Sequence, residues 1–258
     1  MTAAGVKLEI EGGVARITLT RPEKLNALDM GMIEALVAAA DAIEADAALR
    51  VAILTGEGKA FCAGGDIAAW GGLEPLDMWR HWVRAGHRAF DRLARLRVPL
   101  IAVLNGHALG GGLELAATAD LRIAEAQAKL GMPETGIGMI PGWSGTQRLV
   151  RRFGARTMRR LVLTGLIVEA AEALPLGLVD EVVAKGEGMA RALAHAETIA
   201  ARGPVAVAIA KELINGAEGE ETAVAVEAIA GALTSYTDDL KEGVAGFREK
   251  RPPRFSNR

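Results

Sequence analysis

The chain has 258 residues, half of them apolar, with a formal net charge of −2 and a single cysteine. This composition allows a sizeable buried core, lacks the basic excess of nucleic-acid-binding proteins, and excludes an intrachain disulfide, which favours a reducing, cytoplasmic compartment. We expect no membrane span and no signal peptide, because no apolar stretch has the required length or flanking charges.

The first part of the chain alternates short strands with a helix. Residues 14–20 alternate as in a strand, and Asp29 is a plausible N-cap for a helix over 30–45, where apolar residues recur at helical spacing. Two short apolar runs, 51–56 and 100–106, end in glycine and predict buried strands. The pattern indicates an α/β protein with parallel strands.

The rest of the chain becomes increasingly helical. The sequence predicts an amphipathic helix over 77–97, short strands at 121–126 and 178–184, and a loop-rich stretch at 129–145. From about 187 to 250 helices dominate, which suggests a separate C-terminal subdomain.

Two glycine-rich turns, AGGD (63–66) and LGGGLE (109–114), each follow a buried strand and precede a helix start. Such turns expose backbone N–H groups at the positive end of a helix dipole, and glycine allows a ligand to approach closely. One turn alone is typical of tight packing. Two of them could direct two N–H donors at one oxygen, as in an oxyanion hole.

Other chemistries find little support in the sequence. The phosphate-binding GxxxxGK[ST] and the hydrolase GxSxG motifs are absent, and GIGMIPG (136–142) lacks the third glycine of the dinucleotide fingerprint. We expect no metal site, because the four histidines are scattered without ligand spacing: His81, His87, His107 and His195. Cys62 is expected to be a small buried residue.

Two glutamates are candidates for acid–base chemistry. Glu114 lies among apolar neighbours one turn into the helix after the second glycine turn, and Glu134 follows Pro133 in a glycine-flanked segment. Burial would raise the pKa of either carboxyl toward neutrality and allow it to act as an acid or base. The alternative for Glu114 is a surface glutamate favoured by the helix dipole, and the alternative for Glu134 is an ordinary loop glutamate.

Three ordered blocks, AFCAGGDI, NGHALGGGLELAATADLRIA and KLGMPETGIGMIPGWSGTQRL, resemble the crotonase (enoyl-CoA hydratase/isomerase) family. RPEKLNALD near the start and KEGVAGFREKRPPRF near the end extend the resemblance over nearly the whole chain. It implies an α/β fold, a crotonase-like spiral of repeated ββα units over 1–190. It also implies a helical C-terminal region, 191–258, that forms a homotrimer or a dimer of trimers.

The resemblance also implies a reaction, the syn addition of water to a trans-2-enoyl-CoA to give a 3-hydroxyacyl-CoA. The thioester oxygen would lie between the amides of Gly65 and Gly111. Glu114 would position and deprotonate the water, Glu134 would protonate C2, and Gly142 would help to hold the water. No separate cofactor is expected, because coenzyme A is part of the acyl-CoA substrate.

The resemblance places the coenzyme A contacts at Lys24, Leu25, Ala27, Ala63, Asp66, Ile67, Phe247 and Lys250. Lys250 is equally well explained as a solvated tail charge. Trp70, Trp79 and Trp82 are expected around the acyl end, where Trp143 could narrow the pocket.

Other functions stay open at this point. Within the family they are isomerisation and the dehydration of a carnitinyl or branched acyl-CoA, whereas dehalogenation is disfavoured because GTQ (145–147) contains no aspartate. A non-catalytic CoA-binding subunit is a candidate from another class, but it would not require both glutamates and both glycine turns. RRFGARTMRR (151–160), the one candidate for RNA binding, is interpreted as a solvated helix face.

Overall fold

The computed structural model describes residues 2–220, 223–256 and 258. They fall into two compact units, one ending at Lys211 and one beginning at Glu212. The domain boundary predicted between residues 190 and 191 lies earlier in the chain than this division. It falls inside the helix Gly188–Ala200, which contacts strands of the first unit. Oligomerisation through the C-terminal region stays a prediction.

The first unit contains a seven-stranded sheet in the order β1-β2-β3-β4-β6-β8-β11. Its first three strands pair antiparallel, and the remaining pairs are parallel. The strands are β1 (Thr2–Ala3), β2 (Val6–Glu11), β3 (Val14–Leu19), β4 (Val51–Gly56), β6 (Leu100–Leu104), β8 (Leu121–Glu125) and β11 (Glu181–Val183).

Both faces of this sheet are covered at its centre, where β4 and β6 are buried along their whole length. Because side chains alternate between the faces of a strand, Ala52 and Leu54 join the larger apolar core, whereas Val51 and Ile53 face the opposite side. That second side is covered by the helix Gly188–Ala200. Continuous burial explains why these runs are apolar at every position.

A second, four-stranded sheet has the order β10-β9-β7-β5. Its strands are β5 (Ala60–Cys62), β7 (His107–Leu109), β9 (Lys129–Gly131) and β10 (Ile167–Glu169). The first three of these lie parallel, and each follows a strand of the large sheet after a tight turn. A long strand, a short strand and a helical segment therefore repeat along the chain, which confirms the predicted ββα units.

The helices pack around the two sheets or belong to the second unit. They are α1 (Met30–Ala45), α2 (Ile67–Trp70), α3 (Pro75–Asp77), α4 (Arg84–Ala94), α5 (Gly111–Ala116), α6 (Arg148–Phe153), α7 (Ala155–Thr164), α8 (Ala170–Ala173), α9 (Gly188–Ala200), α10 (Pro204–Ala217), α11 (Ala223–Ser235) and α12 (Asp238–Glu249). Short 3₁₀ turns lie at Pro22–Lys24 and Glu134–Ile137. None of the helices in the described part of the chain is long and apolar enough to cross a membrane.

The predicted N-cap of α1 is confirmed, since the Asp29 carboxylate accepts a hydrogen bond from the Met32 amide. The helix predicted over 77–97 is confirmed as a continuous helical segment over 75–94, but it is not a regular α-helix throughout. The structure has α3, a π-helical segment at Met78–Val83 and then α4, which ends before Arg95. The wider π turn changes which side chains face inward, and it buries Trp82.

The second unit, from Glu212 onward, contains the end of α10 and the helices α11 and α12. Thr237 caps α12 by accepting a hydrogen bond from the Leu240 amide, and Lys250 ends it in a left-handed conformation. Several large apolar side chains of this unit are exposed: Leu213, Ile214, Val226, Leu233, Leu240, Val244, Phe247 and Phe255.

Candidate active site

The two glycine turns lie side by side because the strands that precede them are neighbours. β5 pairs in parallel with β7, and Ala60 lies opposite His107. The two strands therefore end at the same edge of the small sheet, where the glycine turns begin. A Cβ atom placed on Gly64 would lie 3.2 Å from the Gly111 nitrogen. Both turns line one cavity of about 240 Å³, at the strand ends where α/β proteins bind ligands.

Gly110, the first of the three consecutive glycines, has a backbone that other residues do not adopt, with φ 53° and ψ −125°. A Cβ atom there would also lie 2.8 Å from Oε1 of Glu134. Glycine at this position therefore allows the backbone conformation of the turn and also leaves room for the carboxyl group of Glu134.

The other two glycines are required by space. A Cβ atom on Gly111 would lie 2.9 Å from the six-membered ring of Trp143, and one on Gly112 would overlap the carbonyl oxygen of Cys62. Gly112 therefore allows α5 to pack directly on the end of β5, and Gly111 leaves room for the indole at the cavity wall. Glycine is thus required for a different physical reason at each of the three consecutive positions.

Gly65 and Gly111 both line the cavity. Gly111 is the first residue of α5, so its N–H has no intrahelical acceptor. Around Gly65, the turn is held by hydrogen bonds from the Leu28 amide to the Gly64 oxygen and from the Asp66 amide to the Leu28 oxygen. Neither amide has a protein acceptor among the hydrogen bonds of the described residues.

Glu114 is buried, with 2% of its surface exposed. Its Oε1 accepts hydrogen bonds from the backbone N–H of Trp143 at 2.7 Å and of Gly145 at 2.6 Å. Burial raises the pKa of this carboxyl to about 7, and the charge of Glu134 adds to the rise, whereas the amides of Trp143, Gly145 and Gly142 oppose it. The alternative of a surface glutamate is therefore wrong.

Glu134 begins the 3₁₀ turn and lines the same cavity. Both of its carboxylate oxygens are buried without a hydrogen-bond partner among the described residues. Burial raises the pKa of this carboxyl also. The cavity thus holds two carboxyl groups whose pKa values are raised, which is typical of acid–base groups in active sites.

Part of the apolar wall of the cavity is aromatic, because Trp70, Trp82 and Trp143 line it together with aliphatic side chains. The ring centroid of Trp143 lies 5.2 Å from that of Trp82 and 5.4 Å from that of Phe90. A Cβ atom on Gly86 of α4 would overlap the Trp143 indole, so the ring is seated in a notch of that helix. Trp70 and Trp82 line the cavity as predicted, whereas Trp79 is 57% exposed and is not among its lining residues.

The predicted coenzyme A contacts near the N-terminus adjoin the first glycine turn. The Leu25 carbonyl accepts a hydrogen bond from the Ala63 amide, and both Ala63 and Ile67 line the cavity. Lys24 is exposed and Ala27 is half-buried beside them. The position of this segment fits a ligand path along the turn, but its role in binding stays a prediction.

The remaining predicted contacts differ in their surroundings. Asp66 caps α2 through the Ala68 amide and forms an ion pair with Arg21 at 2.9 Å, so its carboxylate has structural partners. Phe247, 87% exposed, and Lys250, also exposed, lie in the second unit. Their role in coenzyme A binding stays a prediction.

The Cys62 thiol and possible metal ligands are the remaining candidates for chemistry. Cys62 is buried, and burial raises the pKa of its thiol to about 12, as expected for a structural cysteine. Across the residues that the structure describes, no cluster of three or more His, Cys, Asp or Glu side chains is placed to hold a metal ion.

Sequence reasoning missed the groups that hold Glu114. The amides of Trp143 and Gly145 are backbone donors, which leave no residue-type signal, although the motif GWSG has the small residues that a tight loop requires. It also missed the hydrogen bond between His87 of α4 and Ser144 in that loop.

Repeated ββα units with a shared cavity at the ends of the short strands define a crotonase-type α/β protein. The model of the family described as enoyl-CoA hydratase/isomerase matches residues 9–258. The chain belongs to this family.

Curated relatives and solved structures match over nearly their whole length. The short-chain-enoyl-CoA hydratase of Clostridium acetobutylicum is 40% identical over 254 residues, 97% of each chain. The crotonyl-CoA hydratase of Syntrophomonas wolfei is 38% identical over 260 residues, 99% of each chain. The crystal structure of an enoyl-CoA hydratase from Bacillus anthracis is 36% identical with a TM-score of 0.81, covering 99% of this chain and 100% of that one.

Proposed function

We propose that this chain is an enoyl-CoA hydratase that adds water syn across the C2=C3 double bond of a trans-2-enoyl-CoA and releases the 3-hydroxyacyl-CoA. The observation that carries the proposal is the pairing of Glu114 and Glu134, two buried carboxyl groups with raised pKa values, in a cavity bordered by two glycine turns. The family to which the chain belongs supports it.

In this mechanism the thioester oxygen lies between the amide N–H groups of Gly65 and Gly111. As water attacks C3, negative charge moves onto that oxygen and the thioester becomes enolate-like. Two preorganised donors stabilise this charge more than they stabilise the substrate, and losing one such donor typically costs about 10²–10³ in rate. Both glycines line the cavity, and neither amide has a protein acceptor among the described hydrogen bonds, which supports their availability to a ligand.

The two glutamates divide the proton transfers. Glu114, ionised, accepts a proton from the water as its oxygen bonds to C3, and Glu134, neutral, donates a proton to C2. The amides of Trp143 and Gly145 fix Oε1 of Glu114, and the Gly142 amide helps to hold the water. A pKa of about 7 gives Glu114 a basicity matched to neutral pH.

The substrate is proposed to be a short 2-enoyl-CoA. Two relatives with this substrate range in their names, the short-chain-enoyl-CoA and crotonyl-CoA hydratases, support this choice. The position of the Trp143 indole also supports a short acyl chain. The indole packs against Gly86 and occupies space beside the two glycine turns. The coenzyme A part would follow the segment from Lys24 to Ala27. Phe247 and Lys250 belong to the second unit and are proposed to contact the coenzyme A bound to a neighbouring subunit.

We also propose that the protein is a cytoplasmic homotrimer or dimer of trimers. The exposed apolar side chains of α11 and α12, among them Leu233 and Val244, support an interface between copies. Sedimentation equilibrium tests the assembly, and a monomer at micromolar concentration would contradict it.

The test of the activity is hydration of crotonyl-CoA, followed by the loss of the enone absorbance. The wild type is expected to turn over, whereas Glu114→Gln and Glu134→Gln should each lose at least about 10³ in kcat because each removes a proton-transfer group. No hydration of any linear enoyl-CoA would overturn the proposal, and migration of a 3-enoyl double bond instead would favour an isomerase. Binding of crotonyl-CoA without any turnover would indicate the non-catalytic subunit.

A further inference from the structure

The loop that holds Glu114 contains a residue in an unusual conformation. Ser144 lies between the two residues whose amides bind Glu114 Oε1, and its φ is 88° although it is not glycine. L-residues rarely adopt this conformation, so it persists only where neighbouring contacts maintain it. Ser144 is also buried, and its carbonyl accepts the Arg148 amide at 2.8 Å as α6 begins.

Helix α4 contacts both Ser144 and the start of α6. Nδ1 of His87 lies 3.1 Å from the Ser144 hydroxyl oxygen, and one turn further along α4 Asp91 forms an ion pair with the buried Arg148 at 2.6 Å. His87 and Asp91 are four residues apart on α4, and the loop residue Ser144 precedes Arg148, the first residue of α6, by four residues, so the two contacts lie side by side. Helix α4 therefore holds both the loop and the start of α6.

The imidazole of His87 is a neutral hydrogen-bonding group in this setting. Burial lowers its pKa, the Arg148 guanidinium lowers it further, and the Asp91 carboxylate opposes them. His87 is not among the residues that line the cavity. Among the described contacts, its hydrogen bond to Ser144 links it to the loop that holds Glu114.

We propose that His87 is a positioning residue for hydration: its hydrogen bond to Ser144 holds the 143–145 loop so that two backbone amides fix Glu114 Oε1. The inference rests on the proposed function for its catalytic consequence. Its structural part, the link from His87 to the carboxyl group of Glu114, stands without it.

The first test reads Glu114 directly and needs no activity. Carbon-13 NMR of labelled glutamate carboxyl groups, assigned with Glu114→Gln, gives the titration of Glu114 in the wild type and in His87→Leu. Because the two amides favour the ionised form, a loosened loop should raise the pKa of Glu114 above its wild-type value. His87→Asn, whose amide can replace Nδ1 as a hydrogen-bonding partner, should restore it.

The second test measures turnover of crotonyl-CoA. His87→Leu and Ser144→Gly are each expected to lower kcat roughly tenfold, with KM changed less than twofold, because a misplaced catalytic group mainly affects the chemical step. The double variant should lose no more than either single one, since both break the same contact. His81→Gln, an exposed histidine outside the cavity, is the matched control and should match the wild type.

The outcomes separate the two proposals. An unchanged titration of Glu114 in His87→Leu, with native circular dichroism, would overturn the positioning role whatever the activity. A wild type that fails to hydrate any enoyl-CoA would overturn the proposed function, while a raised Glu114 pKa in His87→Leu would still establish the structural link.

Discussion

Replacing Glu114 by glutamine should stabilise the folded protein at neutral and alkaline pH while removing its activity. The wild-type carboxyl is buried, and its pKa rises from an ordinary value of 4.5 to about 7. Glutamine has nearly the same shape but carries no charge. Its side-chain oxygen can still accept the amides of Trp143 and Gly145, which bind Oε1 in the wild type.

The expected size follows from linkage between protonation and folding. A rise of the pKa from 4.5 to about 7 corresponds to about 3 kcal/mol, at about 1.4 kcal/mol for each tenfold change. Since the folded-state pKa is raised, this contribution is fully present below pH 4.5 and is lost as the pH rises through about 7. Glu114→Gln should therefore gain about 3 kcal/mol of unfolding free energy over the wild type across this range.

Urea unfolding of both proteins, at equal concentration and at a series of pH values, measures this difference. Glu242→Gln provides a control of opposite sign, because the neighbouring Arg251 lowers the pKa of Glu242 to about 2 and its ionised form stabilises the fold. A difference between Glu114→Gln and wild type that stays flat from acid to alkaline pH would refute the raised pKa of Glu114.

The other predictions concern the glycine turn, the aromatic wall and the pH profile. Gly110→Ala should lose at least about 100-fold in hydration, since alanine resists its backbone angles and would contact Glu134; Gly72→Ala, with open space around it, should retain full activity. Trp143→Ala should raise the ratio of kcat/KM for octenoyl-CoA to that for crotonyl-CoA by about tenfold. Trp79→Ala, which changes an exposed side chain, should leave this ratio unchanged. Equal changes in kcat/KM for both substrates would contradict the role of the Trp143 indole in limiting the acyl chain. The kcat/KM of the wild type should fall as the pH drops below about 7, where Glu114 becomes protonated; a rate independent of pH down to about 5 would be inconsistent with Glu114 as the base.

The sequence was most informative where a pattern is long. The apolar runs of β4 and β6 and the helical spacing of α1 after Asp29 each contain enough residues to specify one kind of element, and the structure has all three. The strands β5, β7 and β9 have only three residues each. No periodicity can be read from three residues, so the second sheet was not predicted from the pattern.

The site divides in the same way. The glycine turns and the apolar neighbours of Glu114 are visible in the sequence, and they made Glu114 a candidate for a buried carboxyl beside exposed N–H groups, with a surface glutamate as the alternative. The π-helical turn that buries Trp82, the exposure of Trp79 and the left-handed backbone of Ser144 all depend on packing between distant segments. Such tertiary contacts are not encoded in any local pattern.

In the proposed mechanism, two backbone amides and two acids act on one acyl-CoA. A crystal structure with acetoacetyl-CoA bound tests it most directly. We predict that the thioester oxygen lies about 2.7–3.1 Å from the nitrogens of both Gly65 and Gly111, with the carboxyl groups of Glu114 and Glu134 facing C3 and C2. A thioester bound away from either amide, or with both carboxyl groups turned from the acyl carbons, would contradict the account.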